Sequence, residues 1–178
     1  MKTLVVTMGI TGSGKSTWLK VQKNIEPNVP VVETDDLRVE LLGDVDDITQ
    51  EKLIFDTAAK RISELFNTHD KVLFGATLVD SRHRLSFLQS IKDICTLNFH
   101  NIGINMVIFP CDPKVSKERI TRDLKAGVKR ADSIQFIDEQ FNQYSETMDG
   151  VLSEDGKEIP FYNKIDIVFK DGYELRPD

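Results

Sequence analysis

The segment from Gly9 to Ser16 reads GITGSGKS, and it follows directly on the apolar run at residues 4–8. It matches the pattern G-x-x-x-x-G-K-S/T, in which a strand ends in a glycine-rich turn and a helix begins at the lysine. Backbone N–H groups of such a turn converge on a phosphate, and the helix N-terminus adds its partial positive charge. The segment therefore predicts a nucleoside triphosphate site. The predicted nucleotide ligands are Gly9, Thr11, Gly12, Ser13, Gly14, Lys15, Ser16 and Thr17.

Two side chains of this segment have an expected chemical role. Lys15 should reach the β- and γ-phosphate oxygens, and the Ser16 hydroxyl should bind Mg²⁺. We therefore expect ATP, or another nucleoside triphosphate, and Mg²⁺ as the cofactors. The alternative is a chance glycine-rich turn, and the complete pattern between a strand and a helix counts against it.

Apolar segments alternate with amphipathic helices along the chain. This order is typical of a parallel sheet that helices cover on both faces, and it predicts an α/β fold of three layers with about five strands. A chain of 178 residues with 40% apolar content is sized for one domain, residues 1–178. The predicted strands span residues 3–8, 29–33, 71–77, 104–109 and 165–169.

Basic residues are concentrated between residues 113 and 130, where seven lysines and arginines meet only Glu118 and Asp123, although the chain's net charge is −6. The pattern predicts a helix to about residue 125, a break at Gly127 and a second helix from Ser133. Such an arrangement would form a helical lid near residues 113–133. A cationic lid beside a phosphate site predicts an anionic ligand.

Asp35, Asp36 and Arg38 follow the second predicted strand, at the sheet edge where ligands of α/β proteins bind. If a helix begins there, Asp35 and Arg38 share one face and Asp36 points elsewhere. A carboxylate facing the γ-phosphate can accept the proton of an attacking hydroxyl, and an arginine can bind a phosphate. The alternative is a carboxylate pair that only complements the helix dipole. The neighbouring phosphate site favours an acceptor site for phosphoryl transfer.

Residues 9–18, together with Asp35 and Arg38, resemble the kinase domain of phage-type 5′-hydroxyl polynucleotide kinases, which are P-loop kinases. The resemblance implies a P-loop kinase fold and transfer of the ATP γ-phosphate to the 5′-hydroxyl end of DNA or RNA. It implies that Asp35 is the general base, that Arg38 binds the acceptor phosphate, and that Lys15 and Ser16 serve the nucleotide and Mg²⁺. It also implies a lid arginine at the transition state. Arg122 fits that position first, Arg119 second and Arg130 third.

The chain departs from this family after the third strand, where relatives carry Asp-Thr-Asn and residues 76–78 read Ala-Thr-Leu. Thr77 and Arg82 are expected substrate ligands, although the exposed start of a helix explains Arg82 equally well. An aspartate at the position of Ala76 commonly helps to hold the metal in P-loop enzymes. Mg²⁺ is therefore expected to rely on Ser16, Asp35 and water, and no preference for DNA or RNA carries over.

Two other functions stay open. The same chemistry on a small molecule, such as a nucleoside, nucleotide or sugar derivative, would be favoured by aromatic residues in the acceptor pocket. A nucleotide-dependent switch that hydrolyses little is the other. Residues 163–166 have the letters of the guanine-reading N-K-x-D motif, but no D-x-x-G switch motif lies upstream of Asn163, and this absence counts against a switch.

The expected partner is a 5′-hydroxyl nucleic-acid end bound as substrate, with a separate ligase or phosphatase as a further partner. The sequence contains no run long enough to cross a bilayer. Cys95 and Cys111 lie in apolar segments and form no disulfide framework, so both are expected to be buried thiols. These features predict a cytoplasmic protein. If the chain is encoded by a phage, the predicted location is the cytoplasm of the host cell. They leave the oligomeric state open.

Overall fold

The computed structural model describes residues 1–128, 134–152, 161–169 and 172–174. These residues form six strands and six helices, joined by short loops and one 3-10 turn at Ile134–Phe136. The strands are β1 (Lys2–Met8), β2 (Val31–Glu33), β3 (Lys71–Gly75), β4 (Ile102–Ile108), β5 (Lys164–Phe169) and β6 (Gly172–Glu174). The helices are α1 (Lys15–Ile25), α2 (Thr34–Leu42), α3 (Glu51–Leu65), α4 (Ser81–Leu97), α5 (Pro113–Lys125) and α6 (Ile137–Leu152).

All strands belong to one sheet, in the order β2-β3-β1-β4-β5-β6. The first five pair in parallel, and β6 pairs with β5 in the antiparallel direction. The predicted sheet of about five parallel strands is confirmed, and the antiparallel edge strand is an addition to it. No described helix is long and apolar enough to cross a membrane.

Both faces of the central strand β1 are covered. Leu4, Val6 and Met8 point into the larger apolar cluster, whereas Val5 packs with Leu19 of α1 in a smaller cluster on the opposite face. This alternation along one buried strand is what a three-layer fold requires, since side chains of a strand alternate between the two faces of its sheet. The predicted three layers are therefore confirmed.

Helix α3 shows why its segment folds against the sheet. Ile54, Ala58, Ile62 and Phe66 recur every fourth residue, and each is completely buried. Positions four apart lie on one side of a helix, so the four side chains form a continuous apolar stripe. Burial of a large apolar side chain stabilises a fold by about 1.5–3 kcal/mol. The stripe fixes α3 against the core and thereby places its first turn beside α2.

Strand β3 ends two residues earlier than predicted. Residues 76 and 77 lie beyond the end of β3 and form hydrogen bonds with Thr7 and Gly9. The Gly9 N–H donates to the Thr77 carbonyl over 3.0 Å, and the Thr7 hydroxyl lies 3.4 Å from both the N and the O of Ala76. The end of β3 is thus tied to the beginning of the glycine-rich loop.

Helix α5 ends at Lys125, and Gly127 follows with a φ of +79°, a conformation that favours glycine. The chain is helical again from Ile134. The predicted helix to about residue 125 and the break at Gly127 are confirmed, whereas the predicted start of the second helix, Ser133, lies outside the described residues. The lid itself stays a prediction. Residues 129–133, which include Arg130, lie outside the described residues.

Candidate active site

A cleft of about 1600 Å³ opens at the carboxyl edge of the parallel strands. Its walls come from the glycine-rich loop, the start of α2, the loop after β3, and the facing sides of α5 and α6. Single small-molecule sites usually occupy about 300–1000 Å³. The cleft therefore has room for a donor nucleotide and an acceptor together.

The glycine-rich loop has the backbone that a phosphate site needs. Gly12 and Gly14 have φ angles of +77° and +110°, which favour glycine. A Cβ at Gly9 would lie 2.7 Å from the Ser13 hydroxyl and 2.8 Å from the Phe109 carbonyl, so this position also excludes a side chain. The buried Ser13 hydroxyl has no hydrogen-bond partner in the described part of the chain. This unsatisfied donor, in a loop at a helix N-terminus, fits a phosphate group.

The Lys15 ammonium lies back over its own loop. It donates to the carbonyls of Gly9 and Ile10 over 2.8 and 2.9 Å. Helix α1 begins at this residue, with Gly14 as its N-cap. Lys15 is therefore placed where a triphosphate on the loop can compete for its N–H groups.

Ser16, in the first turn of α1, lies beside Glu33, the last residue of β2, and both residues line the cleft. Burial raises the pKa of Glu33, and the neighbouring Ser16 hydroxyl partly offsets that rise. No sequence motif marks Glu33, because a polar residue at the end of a short strand is ordinary. Its position at the carboxyl edge of the sheet was the available signal.

Helix α2 begins at Thr34, and Asp35 and Arg38 lie on one face of it as predicted. The Arg38 Nη1 donates to Asp35 Oδ1 over 2.7 Å. Both residues line the cleft, whereas Asp36 is exposed and outside its lining. The Asp35 side chain is 52% exposed, so an incoming hydroxyl can reach it.

Arg38 has a second carboxylate partner that the sequence did not reveal. Its Nε and Nη2 donate to Glu51 Oε1 over 2.9 and 2.7 Å, and its side chain is only 9% exposed. Glu51 is the first residue of α3, which the apolar stripe holds beside α2. The guanidinium is thus buried between Asp35 and Glu51, with its charge compensated inside the protein.

Helices α5 and α6 are both docked on the glycine-rich loop. The Ser116 hydroxyl donates to the Thr11 carbonyl, and the Arg119 Nη1 donates to the Gly12 carbonyl over 2.8 Å. From α6, the Gln140 Oε1 accepts the Thr11 N–H over 2.9 Å. Ser116 and Gln140 are therefore site residues that sequence reasoning missed, since neither belongs to a motif.

The candidate lid arginines differ in their surroundings. Arg119 and Arg122 both line the cleft from one face of α5. Arg119 contacts the loop, whereas the side chain of Arg122 is 77% exposed and its Nε lies 3.9 Å from Asp123 Oδ1. Arg130, the third candidate, is outside the described residues.

Thr77, in the loop after β3, lines the cleft, and its role as a substrate ligand stays a prediction. The start of α4 is arranged differently from the expectation. Arg82 is exposed and outside the lining of the cleft, whereas the adjacent His83, which is also exposed, lines it, because successive helix positions turn by about 100°. Arg84 is completely buried and donates to the Leu78 carbonyl over 2.6 Å. Arg84 therefore stabilises the loop after β3 from its buried side.

Aromatic rings line two parts of the cleft. Phe55, one turn after Glu51, meets the His83 ring edge-on at 4.4 Å between centroids. Phe141 and Tyr144 of α6 stack at 6.2 Å, and burial raises the pKa of Tyr144 to about 12.

Cys111 is half-buried and lines the cleft, although it was expected to be buried.

Comparisons with known proteins agree with this geometry. The family described as AAA domain matches residues 4–150 of the chain. No curated protein sequence matches it. A solved chain from the Pnkp1/Rnl/Hen1 RNA repair complex is similar, with 20% identity and a TM-score of 0.68, and the match covers 83% of this chain and 45% of that one. This chain therefore spans less than half the length of that relative.

Two further solved structures match nearly the whole of this chain. A fungal RNA kinase is 14% identical with a TM-score of 0.62, over 96% of this chain and 77% of that one. A gluconokinase from Sinorhizobium meliloti is 14% identical with a TM-score of 0.52, over 93% of this chain and 82% of that one. At such identities the likeness shows the fold, which is that of a P-loop kinase.

Proposed function

Since the chain belongs to the AAA domain family, we propose that it is an ATP-dependent kinase acting on the 5′-hydroxyl end of a polynucleotide. The observation that carries this proposal is the pair formed by Asp35 and Arg38, 2.7 Å apart in the cleft that also contains the glycine-rich loop. A proton acceptor and a phosphate-binding cation on one helix face are what transfer to a hydroxyl next to a phosphate requires.

In this reaction the acceptor hydroxyl oxygen forms a bond to the γ-phosphorus while the bond to the β,γ-bridging oxygen breaks, and ADP leaves. The hydroxyl proton passes to the Asp35 carboxylate. Negative charge spreads over the three equatorial oxygens of the transferring group. Lys15 and the lid arginines supply cationic N–H donors to these oxygens, and the docked lid reduces the access of water.

Mg²⁺ fits the residues beside the loop. The Ser16 hydroxyl and the Glu33 carboxylate are adjacent oxygen donors, and Asp35 adds a third at the start of α2. Mg²⁺ is usually bound through one or two carboxylates together with substrate phosphates. When bound, it would neutralise charge on the β- and γ-phosphates.

Transfer to a small molecule is the second candidate, and one observation favours it. Arg38 is already bound by Asp35 and Glu51 and its side chain is only 9% exposed, so an acceptor phosphate competes with two carboxylates for its positive charge. Phe55 and His83 provide an aromatic wall nearby that suits a nucleoside or sugar ring. The gluconokinase likeness is compatible with such an acceptor.

The acceptor class is tested with γ-labelled ATP and Mg²⁺ against 5′-hydroxyl DNA, RNA, tRNA fragments and small hydroxyl compounds. We expect label at the 5′ ends of nucleic acid. Label on small molecules alone would contradict the polynucleotide proposal and support the second candidate. Release of the label as inorganic phosphate alone would contradict both. A ligase or phosphatase that acts on the same ends, and a cytoplasmic location, stay predictions.

Replacement of Glu51 separates the two acceptor classes. Glu51→Gln removes the negative charge that binds Arg38, so a phosphate-bearing acceptor should bind Arg38 more tightly. The KM of that acceptor should fall by about tenfold, which corresponds to the free energy of one charge-assisted hydrogen bond. The KM of a neutral small acceptor should change little. Steady-state kinetics on both acceptor types measures the difference.

Glu40→Gln is the matched control, because Glu40 binds Arg61 outside the cleft lining and its loss should leave both KM values unchanged. A higher KM for polynucleotide ends in Glu51→Gln would contradict the interpretation. Glu51 would then hold Arg38 in its binding orientation instead of competing with the acceptor.

A further inference from the structure

The end of β3 lacks the carboxylate that the resemblance to polynucleotide kinases leads one to expect. Ala76 occupies that position, its methyl group is buried, and its backbone N and O are both directed at the Thr7 hydroxyl. Ala76 also lines the cleft. The position therefore contributes no oxygen ligand from a side chain to a metal.

A carboxylate is present one strand away. Glu33 of β2 is paired in register with Gly75, the residue directly before Ala76. The parallel pairing brings the two strand ends to the same edge of the sheet, so Glu33 lies beside the position where the aspartate is missing.

Gly75 provides the space for this side chain. A Cβ at Gly75 would lie 2.9 Å from Glu33 Cγ and 2.5 Å from Leu19 Cδ1, distances that real Cβ atoms do not show. The Glu33 side chain thus crosses the end of β3, and it can do so because residue 75 has no side chain.

The Glu33 carboxylate lies beside the residue whose hydroxyl is expected to bind Mg²⁺. That residue is Ser16, and Ser16 and Glu33 both line the cleft. Among the described residues, no group of three or more His, Cys, Asp or Glu side chains could hold a metal ion alone. Mg²⁺ would therefore need nucleotide oxygens in addition to the Ser16 hydroxyl and the carboxylates of Glu33 and Asp35.

We propose that Glu33 positions the Mg²⁺ of the bound nucleotide, in place of the missing aspartate at the end of β3. With Mg²⁺ bound, the Glu33 carboxylate would orient the Ser16 hydroxyl and would accept hydrogen bonds from water on the metal. Groups that orient metal ligands in this way usually matter nearly as much as the ligands themselves. The assignment rests on the proposed function only in requiring a nucleotide with Mg²⁺, and it is independent of the acceptor.

The test is the isosteric replacement Glu33→Gln, measured without any acceptor. Binding of a non-hydrolysable ATP analogue is titrated by calorimetry in Mg²⁺ and in EDTA, and Mn²⁺ binding to the protein–nucleotide complex is followed by electron paramagnetic resonance. The Mn²⁺ dissociation constant should rise by about 10–100-fold. Affinity for the analogue in EDTA should be unchanged or slightly higher, since one negative charge near the phosphates is removed.

Asp36→Asn is the control, because this carboxylate is exposed and outside the cleft lining, and its loss should leave Mn²⁺ binding unchanged. The double change Glu33→Gln with Ala76→Asp should recover at least part of the lost Mn²⁺ affinity. Wild-type Mn²⁺ affinity in Glu33→Gln would overturn the proposal. An equal loss of analogue binding in EDTA would also overturn it, because Glu33 would then support the loop itself.

These outcomes are separate from the acceptor assay. If label from ATP reaches only small molecules, the polynucleotide proposal fails and the Mn²⁺ result still decides the role of Glu33. If label reaches the 5′ ends of nucleic acid and Glu33→Gln binds Mn²⁺ as tightly as the wild type, only the role assigned to Glu33 fails.

Discussion

Asp35→Asn should lower the turnover number for phosphoryl transfer by about 10²–10⁴-fold, the usual contribution of a positioned general base. An asparagine keeps the oxygen that accepts the Arg38 hydrogen bond of 2.7 Å, but it cannot accept the proton of the attacking hydroxyl. Arg38 should therefore stay in place, and nucleotide affinity should be nearly unchanged. Single-turnover measurement of label transfer, together with calorimetric binding of the ATP analogue, separates the two effects.

Asp36→Asn is the matched control for this prediction, because Asp36 is the next residue of α2 and lies outside the cleft lining. Its transfer rate should stay within a factor of two of the wild type, as expected for an exposed surface change of about 0.5 kcal/mol or less. An inactive Asp36→Asn with an active Asp35→Asn would show that the other face of α2 carries the base.

The parts of the fold that could be predicted from sequence are those fixed by local periodicity. The buried run of β1, the stripe of α3 beginning at Ile54, and the break at Gly127 each appear as short-range patterns. Apolar period and turn residues depend on nearest neighbours along the chain, and sequence displays these directly. The glycine-rich loop belongs with them, since its eight positions are contiguous.

The parts that could not be predicted depend on which elements lie side by side. Glu51 binds Arg38 from 13 positions along the chain, and Glu33 lies across the end of β3 because β2 pairs with β3. Nothing in the local pattern distinguishes these glutamates from solvent-exposed ones. Strand register and helix placement had to be known before their partners could be named.

The burial of Arg84 also could not be predicted from the local sequence pattern. A basic residue at the start of a helix predicts a solvent-exposed side chain, yet Arg84 is completely buried. Its guanidinium donates to the Leu78 carbonyl, and Leu78 has a positive φ of 49°. A buried arginine is tolerated where fixed carbonyls satisfy its donors. The loop conformation created those acceptors, and the sequence gives no sign of it.

The lid arginines should have separable effects on binding and turnover. Arg122→Ala should lower the turnover number by about 10³-fold or more, the contribution of an arginine that stabilises the transferring phosphoryl group. Its side chain is 77% exposed in the cleft, and its one ion pair with another described residue is the 3.9 Å contact with Asp123, so it can move onto the developing charge. ATP affinity should change little, because this interaction forms only in the transition state.

Arg119→Ala should act mainly on the ground state. Its 2.8 Å hydrogen bond to the Gly12 carbonyl joins α5 to the loop, so its loss should raise the KM for ATP more than it lowers turnover. Lys114→Ala controls for the removal of a positive charge from the same helix, since Lys114 is exposed and outside the cleft lining. If Arg122→Ala turns over normally and Arg119→Ala does not, the transition-state role belongs to Arg119.

Arg122→Lys distinguishes charge from geometry at this position. A lysine keeps the positive charge but loses the planar fork that binds two phosphoryl oxygens at once. If Arg122 acts through paired hydrogen bonds, turnover in Arg122→Lys should remain closer to that of Arg122→Ala than to the wild type. Nearly full activity in Arg122→Lys would mean that the lid contributes a general electrostatic field, to which the other cations of α5 also add.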